Sequence, residues 1–321
     1  VIHKINKQLE KLMPFITPIS VFLGVLLAEN LKGLSFLIPW LFAFMTFSGS
    51  LSSNFVSFKE AVTHPRPLIW AVIILHLVMP VWAWGFGHLS FSSDTYTITG
   101  LVLAMAIPTG ITSFVWVSIY RGNIALTLSI ILIDTVLSPF IVPSTLSLLV
   151  GQHVEMDVVS IMKGLFLMIV LPSLLGMALN QITKGRVVKV LSPRLSPVSK
   201  ILLALVVMIN AAVVAPYLKE VDYRLIKIAL VAFLIAFTGY LLSFLIGKLL
   251  RSDQGTVIAL TFSGGMRNIS AGAVLAVSFF PAPVAVPVVI GMLFQQILAS
   301  FYGSFLDRHF NKKIVERGRT V

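Results

Sequence analysis

Ten stretches of the 321-residue chain are apolar for long enough to cross the ~30 Å hydrocarbon core of a bilayer. They fall near residues 12–28, 36–56, 67–87, 97–120, 124–149, 158–180, 197–216, 224–248, 256–280 and 284–306. The runs are continuously apolar, whereas barrel strands would be short and alternating. They therefore read as helices, and the expected fold is an all-α polytopic membrane protein with ten transmembrane helices. Composition agrees, with 57% hydrophobic and 11% charged residues against roughly 25% charged in soluble domains. Soluble enzymes and nucleic-acid binders are excluded, so the expected surroundings are a lipid bilayer and no nucleic acid. The sequence contains no cysteine, which removes disulfides, thiolate metal sites and cysteine nucleophiles. Lys4, Lys7 and Lys11 lead into the first run without a small-residue cleavage site after it, so that run is expected to stay as a helix.

A net charge of +12 is explained by loops that orient the chain. With ten spans both termini lie on one side, and that side receives 18 basic residues against 5 on the other. The positive-inside rule then puts both termini in the cytoplasm and the protein in the inner (plasma) membrane. The one basic residue outside this count is Arg267, which is predicted to lie within the membrane.

The halves resemble each other. Runs one to five and six to ten have similar lengths, and the fourth and ninth are each interrupted, by Pro108-Thr109-Gly110 and by Gly264-Gly265. Five spans per copy is an odd number, so the second copy enters from the opposite side. This predicts two inverted repeats, residues 1–150 and 151–321, with a substrate site where paired broken helices meet near the midplane.

Ionisable side chains inside spans are costly and so are functional candidates. Three stand out: His76, Asp134 and Arg267. His76 lies mid-way along the third run beside Pro80, where a neutral imidazole bonded to a carbonyl freed by the proline is the simplest role. Asp134 is either a proton carrier or one half of an ion pair, with Arg267 as its obvious partner. Arg267 sits in Ser263-Gly264-Gly265-Met266-Arg267-Asn268-Ile269-Ser270, at the expected start of a half-helix. Amides exposed there favour anions, and a guanidinium adds bidentate recognition of a carboxylate. Thr109, Gly110, Thr112, Ser113, Gly265, Arg267, Asn268 and Gln295 form the expected substrate site. Gln295 and Gln296 are consecutive, so one faces the cavity while the other bonds between helices.

At this point the chain resembles the bile acid:sodium symporter family over nearly its whole length. The likeness is carried by Phe44 to Leu51 with Phe58-Lys59 and His64-Pro65, by Pro108 to Ser113 with Arg121-Gly122-Asn123 and Ser138-Pro139, and by Gly265-Met266-Arg267-Asn268 with the turn near Pro281 to Pro287. The resemblance implies a panel domain of helices 1, 2, 6 and 7 and a core domain of helices 3–5 and 8–10, in which broken helices 4 and 9 cross. It also implies transport of organic anions, bile-acid-like or smaller carboxylates, by alternating access, and a protein that is not an enzyme. A monomer is expected.

The positions that the family uses for sodium are altered. Family members typically carry Ser-Asn where this chain has Ser113-Phe114, and Glu-x-x-x-Gln-Asn where it has Ser263 and then Arg267-Asn268. Ser113, Thr127, Ser263 and Asn268 are the residual ligand-type positions, while Ile131 and Leu75 replace a Thr and a Gln. A sodium ion needs oxygen ligands, and a guanidinium has five donors and no acceptor. Two unit positive charges 4 Å apart repel by about 4 kcal/mol at an effective dielectric of 20. No cofactor is expected, and Arg267 is read as a built-in cation that removes the dependence on sodium. Asp134, His76 and Arg267 remain candidates for coupling or ion pairing. The alternatives are a conventional sodium-coupled symporter and, from other classes, an anion channel, a non-transporting anion sensor, or an intramembrane hydrolase built on a Ser263–His76 dyad.

Overall fold

The computed structural model describes residues 15–53, 65–92, 94–151, 154, 156–218 and 221–317, with side chains in the last helix followed to Phe310. Lys4, Lys7, Lys11, Phe58, Lys59, His64, Lys219 and Arg319 lie outside the described residues. Among the described residues the structure is helical apart from one isolated bridge between Thr109 and Arg267.

In chain order the helices are α1 (Phe15–Leu26), α2 (Ala28–Ser50), α3 (Pro65–Phe91), α4 (Thr95–Ala106), α5 (Ser113–Ile119), α6 (Ile124–Val150), α7 (Val158–Ile182), α8 (Ser192–Leu218), α9 (Tyr223–Leu249), α10 (Gln254–Gly265), α11 (Ile269–Phe279) and α12 (Ala282–Arg317). Seven of these, α2, α3, α6, α7, α8, α9 and α12, are long and apolar enough to cross a membrane. Leu89, Leu148 and Leu249 stand 85%, 84% and 82% exposed. Such apolar surface is unfavourable in water and ordinary against lipid. The chain is a multi-pass membrane protein.

Local chemistry explains several helix starts. Asp94 caps α4 and Asp253 caps α10 in the same way. Each accepts from the main-chain N–H of the residue three positions on (Thr97 at 3.1 Å, Thr256 at 3.0 Å) and from that residue's hydroxyl (2.7 and 2.6 Å). A capping carboxylate satisfies an amide that has no intrahelical partner. Asp94 also receives Arg224 at the start of α9, with Nη2 2.6 Å from Oδ2.

Prolines inside the long helices are accommodated without breaking them. Pro139 lacks the N–H that Thr135 would receive, and the Ser138 hydroxyl donates to the Thr135 carbonyl instead, at 2.7 Å. Ahead of Pro80 and of Pro172 the helix widens to π geometry, over Ile74–Val78 and Phe166–Val170. These bulges absorb the register change that each proline imposes.

The helices pack in two groups. In one, α2 lies against α7 and α8, and the Asn180 amide donates to the Ser53 carbonyl at 2.8 Å. In the other, α9 lies along α10, α4 lies along both α3 and α12, and α11 packs on α12. Tyr240 of α9 and Tyr302 of α12 stack with ring centroids 4.8 Å apart. Within the second group two helix pairs, α4–α5 and α10–α11, are interrupted midway.

Candidate functional site

The interruptions meet. At residues 107–112 the chain leaves helical geometry, and at 266–268 it does so again. There Thr109 and Arg267 form an antiparallel bridge. Gly110 N–H donates to the Met266 carbonyl at 3.2 Å, and Asn268 N–H donates to the Pro108 carbonyl at 2.8 Å. Each break therefore satisfies the other's exposed backbone groups, which a membrane interior requires in the absence of water. The Thr109 hydroxyl lies 2.7 Å from the Ser263 carbonyl and 3.0 Å from the Met266 carbonyl, adding a side-chain tie between the two breaks.

The second break falls later than the sequence suggests. Gly264 and Gly265 remain helical as the last residues of α10. Their function is close packing: a Cβ on Gly264 would collide with the Ser243 hydroxyl, and one on Gly265 with the Tyr240 ring. The interruption is Met266-Arg267-Asn268, so Arg267 lies in the extended segment and not at a helix start. Asn268 is the cap of α11, its Oδ1 accepting from Ala271 N–H at 3.3 Å.

Asp134, on α6, is fully buried. One oxygen, Oδ2, accepts from the Thr109 main-chain N–H at 2.6 Å. The other, Oδ1, lies 2.7 Å from Nε2 of His76, an ion-pair distance with off-line hydrogen-bond geometry. This corrects two expectations. The imidazole of His76 turns to a carboxylate and not to a proline-freed carbonyl, the π bulge around it absorbing the proline mismatch. Asp134 is held by Thr109 and His76 and forms no salt bridge with Arg267 among the described residues.

Arg267 is 1% exposed, and none of Nε, Nη1 and Nη2 has a hydrogen-bond partner among the described residues. It lines a cavity of about 190 Å³ at the crossing. Thr109, Gly110, Thr112, Asn268 and Gln295 share that wall, as the sequence predicts. Two predicted residues do not: Gly265 is spent on the Tyr240 ring, and Ser113 is buried with an unpartnered hydroxyl. The sequence reading missed Thr46, Thr135 and Ser173, which also reach the cavity. A hydroxyl residue in an apolar helix ordinarily bonds its own backbone, so these carried no distinguishing signal. Gln296 lines the cavity too, and its Oε1 accepts from Nε1 of Trp116 on α5 at 3.3 Å.

A second groove of about 850 Å³ shares Thr17, Met292 and Gln296 with this cavity. Along it Gln296, Ser300, Ser304 and Arg308 follow one another at four-residue spacing on α12, which puts them on one helical face. A polar stripe thus leads from the crossing to the Arg308 end.

The model of the sodium bile acid symporter family matches residues 39–221. The chain belongs to the sodium bile acid symporter family. Family membership makes it a membrane transporter and not an enzyme. It is 55% identical over 305 residues to the uncharacterized protein YbaS of Bacillus subtilis (strain 168), covering 95% of this chain and 100% of that one. It is 26% identical to an uncharacterized sodium-dependent transporter, YocS, of the same organism, over 88% of this chain and 89% of that one. A probable sodium/metabolite cotransporter of Arabidopsis thaliana chloroplasts, BASS1, is 27% identical over 80% of this chain and 63% of its own length.

At the positions that the sequence resemblance assigns to sodium, few side-chain oxygens are free among the described residues. Leu75 and Ile131 are buried hydrocarbon. The Thr127 hydroxyl donates to the Asn123 carbonyl at 2.9 Å, and Asn268 Oδ1 is engaged in its cap. Ser113 and Ser263 have hydroxyls without a hydrogen-bond partner among the described residues, and a hydroxyl is a weaker ligand for a hard cation than a carboxylate. The Ser263 hydroxyl makes no hydrogen bond to His76 among the described residues, so no hydrolytic dyad is assembled.

Proposed function

We propose that the protein carries small organic anions across the plasma membrane by alternating access, without a sodium ion, and that Arg267 supplies the positive charge at the binding site. The observation that carries this reading is the guanidinium itself, buried and unpartnered on a cavity wall. A guanidinium so placed without hydrogen bonds is costly, and the through-space attraction of Asp134 offsets only part of its desolvation. A carboxylate can accept two parallel N–H bonds from its planar fork and offset that cost. The capped start of α11 is beside it, with Ser270 on the same wall, and adds a partial positive charge.

Size narrows the substrate. Pockets for drug-sized ligands run to roughly 300–1,000 Å³, and the cavity of about 190 Å³ suits a carboxylate of a few carbons, such as an oxo or hydroxy acid, better than a sterol. The polar stripe to Arg308 is the proposed route to the cytoplasm, where the positive-inside count puts both termini.

The architecture that fits is ten crossings in two inverted repeats. In that scheme α4–α5 and α10–α11 each make one broken crossing, and the matched Asp94–Thr97 and Asp253–Thr256 caps begin equivalent helices. The α2–α7–α8 group, with α1, would be the panel, and the remaining helices the core that moves against it.

Uptake of radiolabelled pyruvate and pantoate into proteoliposomes tests the reading. It predicts equal uptake in sodium and choline buffers and loss of uptake in Arg267→Gln. The sodium-coupled alternative, favoured by the similarity to the sodium-dependent transporter YocS and the probable sodium/metabolite cotransporter BASS1, predicts uptake only in sodium.

A further inference from the structure

We infer that His76 and Asp134 form a proton site that couples anion movement to proton movement, one proton travelling with each monocarboxylate. The inference rests on the anion reading of Arg267 and names the driving ion, which that reading leaves open.

Position is the first argument. The His76 side chain is 7% exposed and Asp134 is 0% exposed, with 2.7 Å between Nε2 and Oδ1. Histidine is the side chain whose charge ordinarily changes near neutral pH, and a buried carboxylate beside it lets a proton be gained without creating an isolated charge. The pair is tied directly to the anion site. Asp134 Oδ2 holds the Thr109 N–H at 2.6 Å, and Thr109 is the residue bridged to Arg267. One residue thus connects the proton site to the backbone of Arg267.

Charge counting is the second. With Asp134 ionised, His76 neutral and Arg267 charged, the empty site sums to zero. With His76 protonated and a monocarboxylate on Arg267 it again sums to zero. Anion alone gives −1, and proton alone gives +1. Net charge is expensive inside a membrane, so the two neutral states are the ones that reorient cheaply. Preferential reorientation of the empty and the doubly loaded site is the condition for symport.

Among the described residues Arg267 is the charge at this depth that acts on Asp134, and it is included in the count above. Arg267 faces the cavity, and the Tyr240 phenol of α9 lies behind Gly265. Other titratable groups on the helices packed against α6 and α3 lie toward helix ends: Arg66 and His88 on α3, Asp94 and Tyr96 at α4, Tyr120 and Arg121 after α5, Asp157 and Lys163 at α7, Asp253 at α10, and Tyr223, Arg224, Lys227 and Lys248 on α9.

Two measurements test the proposal together. In proteoliposomes holding a pH-sensitive dye, an inward proton gradient is expected to drive accumulation of radiolabelled pyruvate or pantoate. Each anion should carry in one proton, and in His76→Gln uptake should no longer respond to the gradient. Separately, ¹⁵N spectra of histidine-labelled protein, with His76→Gln assigning the signal among the 6 histidines, should show His76 gaining and losing a proton as pH is varied, a change that Asp134→Asn alters. The asparagine keeps an oxygen for Thr109, which protects the fold. Uptake that Arg267→Gln abolishes but no proton gradient alters would overturn the proton site and leave the anion reading standing. If neither probe is taken up, the anion reading fails for these acids and the spectra decide: a His76 that stays in one protonation state at every pH at which the protein is folded overturns the proposal, and a protonation change altered by Asp134→Asn supports it.

Discussion

Thr109 and Arg267 pair through their backbones where two broken helices cross, and their side chains then diverge in role. The Thr109 hydroxyl closes the crossing on the Ser263 and Met266 carbonyls. The Arg267 guanidinium is left without a partner, on the cavity wall. One residue ties the junction together, and the other is the proposed anion contact. Neighbouring residues share the structural task, since one Asp134 oxygen and the Asn268 side chain each hold a main-chain amide.

Replacing Arg267 should separate stability from function. Arg267→Gln relieves the desolvation of a guanidinium that has no hydrogen-bond partner among the described residues and gives up its attraction to Asp134, the smaller of the two effects, so thermal unfolding of the ligand-free protein is expected at a little-changed temperature. Anion uptake is expected to fall by about 10- to 100-fold, the worth of a charge-assisted hydrogen bond of about 1.5–3 kcal/mol. Loss of both together would mean that the guanidinium is structural.

Thr109→Val keeps the shape of the side chain and removes its donor. The Ser263 carbonyl then loses that donor in a buried place, at an expected cost of about 1–3 kcal/mol. Thr109→Ser should recover most of the loss. Thermal melts of the three proteins check this, and a valine variant as stable as the parent would show that the hydroxyl contributes nothing to the crossing.

Gly265 and Gly85 predict opposite outcomes for one added methyl. On Gly265 it collides with the Tyr240 ring, while on Gly85 it meets nothing within 4 Å. Gly265→Ala should destabilise by about 1–3 kcal/mol, as overpacking does. Gly85→Ala should be neutral or stabilise by up to about 1 kcal/mol through helix propensity. Melting curves of both variants decide it.

Much of this was legible in the sequence, and the misses have physical causes. The apolar runs and the two interruptions follow from solvation and backbone chemistry, so they could be read without coordinates. Gly264-Gly265 misled because glycine serves two purposes, breaking a helix or letting two helices touch, and only the neighbouring Ser243 and Tyr240 decide between them. The partner of Asp134 was not readable. Residues 76, 109 and 134 sit on separate segments, and the π bulge at Ile74–Val78 alters which way His76 points relative to a regular helix.

The Asp94–Arg224 pair gives a pH prediction at the membrane surface. Burial raises the Asp94 carboxyl, but hydrogen bonds from Thr97 and Arg224 outweigh it and hold the group below its ordinary value. A depressed carboxyl contributes stability above its unfolded pKa and loses it as pH falls through the folded one. Wild-type protein should therefore lose an extra increment of stability below about pH 4 that Asp94→Asn lacks. Asparagine still caps the helix, so the difference isolates the charge, about 0.5–1 kcal/mol for so exposed a pair. Melting temperatures of the two proteins from neutral to acid pH measure it.

The central claim is that Arg267 stands where a sodium ion would otherwise bind. Its most direct test is the melting temperature of the purified protein across a sodium titration, with choline holding ionic strength constant. A specifically bound ion stabilises by RT ln(1 + [L]/Kd), roughly 2.7 kcal/mol at a hundredfold excess. The account predicts a flat titration in the wild type. A saturable, sodium-specific rise would mean that Ser113, Ser263 and the carbonyls at the crossing rebuild a sodium site beside the guanidinium, and would contradict it.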